Sequence, residues 1–185
     1  MPDIREVFAS IQGAFLLARF NPAGMNSFNI SMEGFWRSFG AAVIIAPVIL
    51  ITILAFYAGS EIYPVRIAAV EFGQYVIGWV LFPVVMIFVA RSMNLTDRYV
   101  GYIVAYNWSA VIQTALFAPL NLVLAYSGAS WVLEFMWLSA MIFVIIYLIF
   151  IAKTALGTTL SIAISLVGLD MLLTLVVILA TSDLL

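Results

Sequence analysis

The 185-residue sequence contains no cysteine and no histidine. Disulfides, thiol nucleophiles, imidazole general bases, His-ligated haem and zinc sites built on Cys or His are excluded together. Charge is scarce too: Asp, Glu, Lys and Arg make up 9% of the chain, against about 25% in a soluble domain. Nine acids and seven bases leave a formal charge of -2, and the bases never gather into a block that would bind nucleic acid or an anionic lipid surface. There is no Gly-rich phosphate loop and no acidic constellation for Mg²⁺. These gaps remove most catalytic chemistry, so neither an enzyme activity, nor a cofactor or metal, nor a nucleic-acid partner is expected.

What is abundant is apolar surface: 66% of the residues are hydrophobic and the mean hydropathy is +1.21. A bilayer core of about 30 Å is crossed by about 20 apolar residues at 1.5 Å rise. Five stretches meet that length: 39–58, 67–90, 99–126, 131–152 and 158–181. The fold class expected is therefore all-α, a polytopic integral membrane protein with a lipid bilayer as its first partner. Residues 37–185 form the five-helix transmembrane domain and 1–36 a cytoplasmic amphipathic helix and connector. Lys153, Thr154 and Gly157 mark a tight hairpin between the last two spans.

Short cytoplasmic loops carry the excess of Lys and Arg. With the N-terminus inside, Arg5, Arg19, Arg37, Arg91, Arg98 and Lys153 are cytoplasmic and Arg66 alone lies outside. That bias predicts an N-in, C-out chain, and Trp36 and Trp131 suit the aromatic belts at the two interfaces. In the segment before the first span, Ile4, Val7, Phe8, Ile11, Phe15 and Ala18 recur at helical spacing, which predicts a helix lying on the cytoplasmic leaflet. The segment lacks the basic start, unbroken apolar core and small-residue cleavage site of a signal peptide, so it is expected to be retained. The turn-rich connector Asn21-Pro22-Ala23-Gly24-Met25-Asn26-Ser27 follows, and Ser31 is placed to cap a short helix running into the first span.

Asp170 is the outlier, near the middle of the last span. A carboxylate at mid-bilayer costs about 2.5–3.5 kcal/mol even on a lenient insertion scale, so it must face protein, water or a partner, or be protonated. Thr159, Ala163, Val167, Thr174 and Thr181 share its face at 100° per residue. Gly157, Ser161, Ser165 and Gly168 make a second, small-residue stripe of the kind that lets helices approach closely. Two packing faces predict that the last span lies inside the bundle. In the third span Asn107, Gln113 and Asn121 interrupt an apolar helix, and Gln113 reaches the depth of Asp170, so an Asp170–Gln113 pair is one of several interhelical arrangements open to it. Glu71 and Glu134 sit at the outer ends of the second and fourth spans. Glu71, Gln74 and Gly78 share a face there, although solvation near the interface makes ion pairing or snorkelling the ordinary reading of these acids.

Pro47, Pro83 and Pro119 lie well inside the first three spans, where each frees a carbonyl in the preceding turn. Membrane helices tolerate proline generally, and transporters also use such breaks to build midplane sites. No internal repeat is evident. Asn29-Ile30-Ser31, Asn94-Leu95-Thr96 and Asn107-Trp108-Ser109 match the glycosylation sequon, but the expected topology puts them in the cytoplasm or the membrane. Val167-Gly168-Leu169-Asp170 matches the intramembrane aspartyl protease word only in part, and there is no second midplane aspartate to share a proton.

The order of elements, and the stretch from Ile77-Gly78-Trp79 through Ala90-Arg91 to Arg98-Tyr99-Val100-Gly101-Tyr102, resembles the Yip1-type membrane protein family and its bacterial relatives. There a helix, a short polar loop and a Gly-Tyr pair opening the next helix look like the family's central region. The resemblance covers about half the chain, mainly by hydropathy, and the family's Asp-Leu-Tyr-Gly-Pro word is absent. It implies a non-catalytic protein acting through membrane partners. The use of six Arg and one Lys is compatible with a bacterial inner-membrane protein.

Two functions follow from these residues. The first is a scaffold or accessory subunit of a membrane complex, docking through its helices to a membrane protein partner or to a second copy. The second is a small proton- or ion-coupled transporter with Asp170 as its coupling carboxylate. The scarcity of intramembrane polar groups puts the scaffold first, with Asp170, Gln113, Asn107, Asn121, Glu71 and Glu134 as the candidate binding positions.

Overall fold

Long apolar runs with their polar groups satisfied inside a helix are what a bilayer permits, and a computed structural model of the chain builds its elements on those runs. It describes residues 3–58 and 64–182, which contain helices and no strands. In order these are α1 (Ile4–Ala18), a 3₁₀ turn (Pro22–Ser27), α2 (Met32–Ser38), α3 (Gly40–Phe56), α4 (Pro64–Ser92), α5 (Thr96–Ser127), α6 (Trp131–Leu156) and α7 (Leu160–Thr181). Among the described residues five helical stretches are long and apolar enough to span a membrane: Met32–Phe56, Arg66–Ser92, Thr96–Ser127, Trp131–Leu156 and Leu160–Thr181.

Turn chemistry sets the ends. Ser31, Ser130 and Thr159 cap α2, α6 and α7, their hydroxyls accepting from the amides of Gly34, Leu133 and Ile162; each satisfies a donor that the first helical turn leaves free. Asn94 turns the chain between α4 and α5 at φ 56°, a left-handed conformation that Asn tolerates better than most residues. Between α6 and α7 the reversal falls later than the sequence suggests. Lys153 and Thr154 remain in α6, and the turn is made at Gly157, with φ 60° and ψ 37°. Only a residue without Cβ adopts that conformation freely, so Gly157 rather than the cation decides where the helix stops. The Arg98 side chain donates to the Leu156 carbonyl at 3.2 Å, covering one of the acceptors that the end of α6 exposes.

The third span, not the fifth, is the centre of the bundle. Along α5, Tyr102, Ile103, Val104, Ala105, Asn107, Trp108 and Ser109 are all buried, and the helix packs on α1, α2, α3, α4 and α6. By contrast α7 packs chiefly on α6 and α4, and Ile164, Met171, Leu172, Leu175, Val176 and Leu179 stay exposed. The expectation of an interior last helix is therefore corrected. Of its small-residue stripe, Ser161, Ser165 and Gly168 meet no neighbouring helix: Ser161 and Ser165 are exposed, and a Cβ added at Gly168 would meet nothing within 4 Å; Gly157, in the turn before α7, lies instead against the Arg98 guanidinium of α5. The reason is local satisfaction. The Ser165 hydroxyl donates to the Ser161 carbonyl one turn back, so this polar atom is satisfied without an interhelical partner.

The N-terminal helix also packs by a face other than its large apolar one. Ser10, Gly13, Ala14 and Leu17 are buried, while Ile4, Phe8 and Phe15 are 52–68% exposed. Gly13 and Gly24 explain the choice, because a Cβ on either would run into the other's carbonyl oxygen. This close approach seats the 3₁₀ turn against α1. Tyr147, fully buried, donates to the Ala14 carbonyl at 2.8 Å and ties α1 to α6. Glu6 completes the attachment, accepting from Asn29 at 3.2 Å and pairing with Arg37 at 2.8 Å. Arg37 also pairs with Glu33 one turn away.

Candidate functional site

Because α7 packs on α4 and α6 more than on α5, a gap remains between α5 and α7, and long polar side chains cross it. The Tyr106 hydroxyl donates to Oδ2 of Asp170 at 2.9 Å. This is the partner of the midplane carboxylate; the alternative drawn from helix depth, Gln113, instead donates to the Ser109 hydroxyl one turn back along its own helix at 3.0 Å. Gln113 lies two turns beyond Tyr106 on nearly the same face of α5, so Asp170 is bonded two turns further down that face than equal depth suggests. Tyr106 is held in turn by Phe82, whose ring centroid lies 4.6 Å away.

Asp170 opens onto a cavity of about 530 Å³ between α3, α4, α5 and α7. Its polar lining includes Glu71, Gln74, Asn121, Asp170 and Thr174, and its apolar wall Ile49, Ile53, Phe56, Phe82, Leu173 and Val177. A second lobe of about 290 Å³ shares Ile49, Gln74, Tyr75, Gly78, Asp170 and Thr174 with the first and extends to Tyr106, Asn107, Gln113 and Thr114. Of the six candidate positions, Asp170, Glu71, Asn121, Gln113 and Asn107 thus line these two adjoining lobes, which have six residues in common. Glu134 does not: it is exposed in the first turn of α6, beside a separate small pocket with Leu120, Leu124 and Trp137. A carboxylate there suits the positive end of the helix dipole.

Hydrogen bonds pin the walls. Tyr57, just past the end of α3, donates to Glu71 at 3.0 Å. Gln74 donates to the Thr181 hydroxyl at 2.6 Å, closing α4 onto the last turn of α7. Tyr75 donates to the Ala42 carbonyl at 2.6 Å, next to the Val43 carbonyl that Pro47 leaves without an amide donor. Asn121 accepts from the Trp137 indole at 3.2 Å, which ties the cavity's α5 wall to α6.

Asn107 is 1% exposed, and its amide is only half satisfied. Nδ2 donates to the Ser38 hydroxyl at 2.8 Å, and that hydroxyl donates onward to the Phe35 carbonyl at 2.7 Å. Oδ1 has no partner. A buried acceptor without a donor costs about 1–3 kcal/mol, and this one belongs to a residue lining the smaller lobe.

The electrostatics of the lining run one way. It includes Glu71 and Asp170 and no Lys or Arg. Among the described residues no group of three or more His, Cys, Asp or Glu could hold a metal ion.

Sequence reasoning missed Tyr57, Tyr75, Tyr106 and Ser38. A signal did exist for Tyr106: Tyr99, Tyr102 and Tyr106 recur on one face of α5, and Tyr99 likewise reaches across to another helix, donating to the Pro83 carbonyl at 3.0 Å. The sequons have structural uses. Asn29 accepts from the Ser31 amide and hydroxyl, Asn94 makes the α4–α5 turn, and Asn107, Trp108 and Ser109 are buried.

Helices, spans and cavity together define a polytopic α-helical membrane protein. No family model, curated protein or solved structure matches the chain.

Proposed function

We propose that the chain is a non-catalytic membrane protein that binds a small cationic solute or proton in the two-lobed cavity and carries it across the bilayer, with Asp170 as the charge-accepting carboxylate. One observation carries this reading: the tertiary fold gathers Glu71, Gln74, Asn121 and Asp170 around a single cavity that no basic side chain lines. An ionisable group kept in the membrane interior against its cost is by default a functional candidate, and Tyr106 leaves the second carboxylate oxygen of Asp170 free to accept from a ligand. The order of the two hypotheses is thereby reversed. A pure scaffold has no use for a cavity of this size that carries carboxylates, and an amide-and-carboxylate lining suits a cation. The charge distribution supports an N-in, C-out orientation in a bacterial inner membrane, in which Glu71 lies toward the outer face.

The test is flux. Protein reconstituted into liposomes holding a pH-sensitive dye is energised with a potassium gradient and valinomycin. Proton movement is expected in the wild type and is expected to fall about 100-fold in Asp170→Asn, as for removal of an essential proton-transfer group. Equal rates in protein-free, wild-type and variant vesicles would sink the proposal.

A second reading, homo-oligomerisation or partner docking of the kind the Yip1-type resemblance implies, is favoured by the unpacked stripe of Ser161, Ser165 and Gly168 on α7. Small residues at a lipid-facing surface permit close helix contact. Gly168→Leu is expected to shift the detergent-solubilised protein to a smaller particle in light scattering if the stripe is such a contact; an unchanged mass argues against it.

A further inference from the structure

We propose that the ligand of the two-lobed cavity is a lipophilic protonated amine: an ammonium group held by Asp170, with an apolar body against the wall of the larger lobe. The proposal rests on the cation-carrier reading and narrows it to one ligand class.

Four observations point the same way. Among the described residues the lining has two carboxylates and no basic residue, so a cation is favoured and an anion repelled. Most of the remaining wall is apolar, and it includes the rings of Phe56, Tyr57, Tyr75 and Phe82; aromatic faces attract an organic cation, whereas they offer nothing to a hydration shell. The volume of about 530 Å³ falls within the roughly 300–1,000 Å³ of small-molecule sites. A bare inorganic ion is served poorly by comparison, since hard divalent cations take about six or more oxygen ligands and no acidic cluster is found among the described residues. The fourth observation is independent of charge. Oδ1 of Asn107, 1% exposed and without a donor, belongs to the lining of the smaller lobe, and an ammonium N–H is the group that would satisfy it. Asp170 lines both lobes, so an ammonium beside it stands where the lobe that Asn107 lines adjoins the apolar wall of the larger one.

Gly78 supplies a test that leaves the packing alone. It lines both lobes, and a Cβ added there would meet nothing within 4 Å. Gly78→Leu therefore fills the space where the lobes join and is expected to keep the melting temperature and single-particle behaviour of the wild type. The measurement is equilibrium binding of radiolabelled 2-phenylethylamine to purified full-length protein in mild detergent, with 2-phenylethanol as the neutral competitor of the same shape. Saturable binding is expected, weakened about ten-fold or more in both Gly78→Leu and Asp170→Asn, as for loss of one strong charge contact, and indifferent to the alcohol. Absence of saturable binding to the wild type overturns the proposal, as does undiminished binding to a folded Gly78→Leu or equal competition by the alcohol. If Asp170→Asn does not fold, Gly78→Leu carries the test alone. Proton flux without amine binding would overturn this ligand class and leave the carrier reading standing. Amine binding without flux would do the reverse.

Discussion

Asp170 meets the cost of its position through one side chain. The Tyr106 hydroxyl is 2.9 Å from its Oδ2, and interhelical hydrogen bonds in membranes contribute about 0.6 kcal/mol on average and up to about 1.7 kcal/mol. Tyr106→Phe is accordingly expected to lower stability within that range, read as the shift in unfolding free energy by steric trapping in bicelles. The double variant with Asp170→Asn should lose less than the sum of the two single effects, because they remove the same bond. Additive losses would mean that the two groups do not interact. A second residue with a sharp expectation is Gly157. At φ 60° and with the Arg98 guanidinium occupying the space where a Cβ would stand, Gly157→Ala should destabilise by about 1 kcal/mol or more, seen as a lower melting temperature. At this scale the sequence showed that Asp170 needs a partner, since hydropathy alone exposes a lone carboxylate. It did not show which partner, because in a chain with 15% aromatic residues one tyrosine among many carries no mark of pairing.

The elements were largely legible. Apolar length and terminal Gly, Ser, Thr and Asn act locally, through bilayer thickness and backbone capping, so the spans 39–58, 67–90, 99–126, 131–152 and 158–181 differ from α3 to α7 mainly at their ends. Which face of a helix packs is another matter. For α1 the large apolar residues marked a face expected to lie on the leaflet but not the face that packs on the bundle, where Ser10, Gly13, Ala14 and Leu17 are buried, since close backbone approach selects small residues over hydrophobic ones. Gly13→Val tests this. The added side chain meets the Gly24 carbonyl and the Ser27 and Phe28 side chains, and overpacking of that kind costs about 1–3 kcal/mol. Faster proteolysis between α1 and α2, with the remaining helices intact, is the expected outcome; unchanged cleavage would show that this contact does not hold α1 in place.

At the scale of the whole molecule, the placing of α5 at the centre and α7 at the edge decides that a cavity exists at all. Glu71 and Asp170 are far apart in sequence and line one cavity only because α4 and α7 pack together, with Gln74 bonded to Thr181. The orientation proposed from the positive charges can be measured directly, because the chain has no cysteine and each introduced one is unique. Ala129 and Ser92 are both exposed and lie at opposite ends of α5. A membrane-impermeant maleimide added to intact cells is expected to label Ala129→Cys, and Ser92→Cys only after permeabilisation. The opposite pattern would invert the topology.

Sequence alone determined the solvent, the number of spans and the identity of the polar residues inside the bilayer, because each follows from local chemistry: transfer cost, helix rise and backbone satisfaction. Only the tertiary structure decided that five of six scattered candidates, Asp170, Glu71, Asn121, Gln113 and Asn107, line one space while Glu134 stands apart. That result depends on which helices touch, and helix contacts in a membrane are chosen by shape and small-residue packing, which leave little trace in a hydropathy pattern. The missing histidines and cysteines made inert glue the natural reading of Asp170; its place on a cavity that no basic side chain lines makes it the residue to test first.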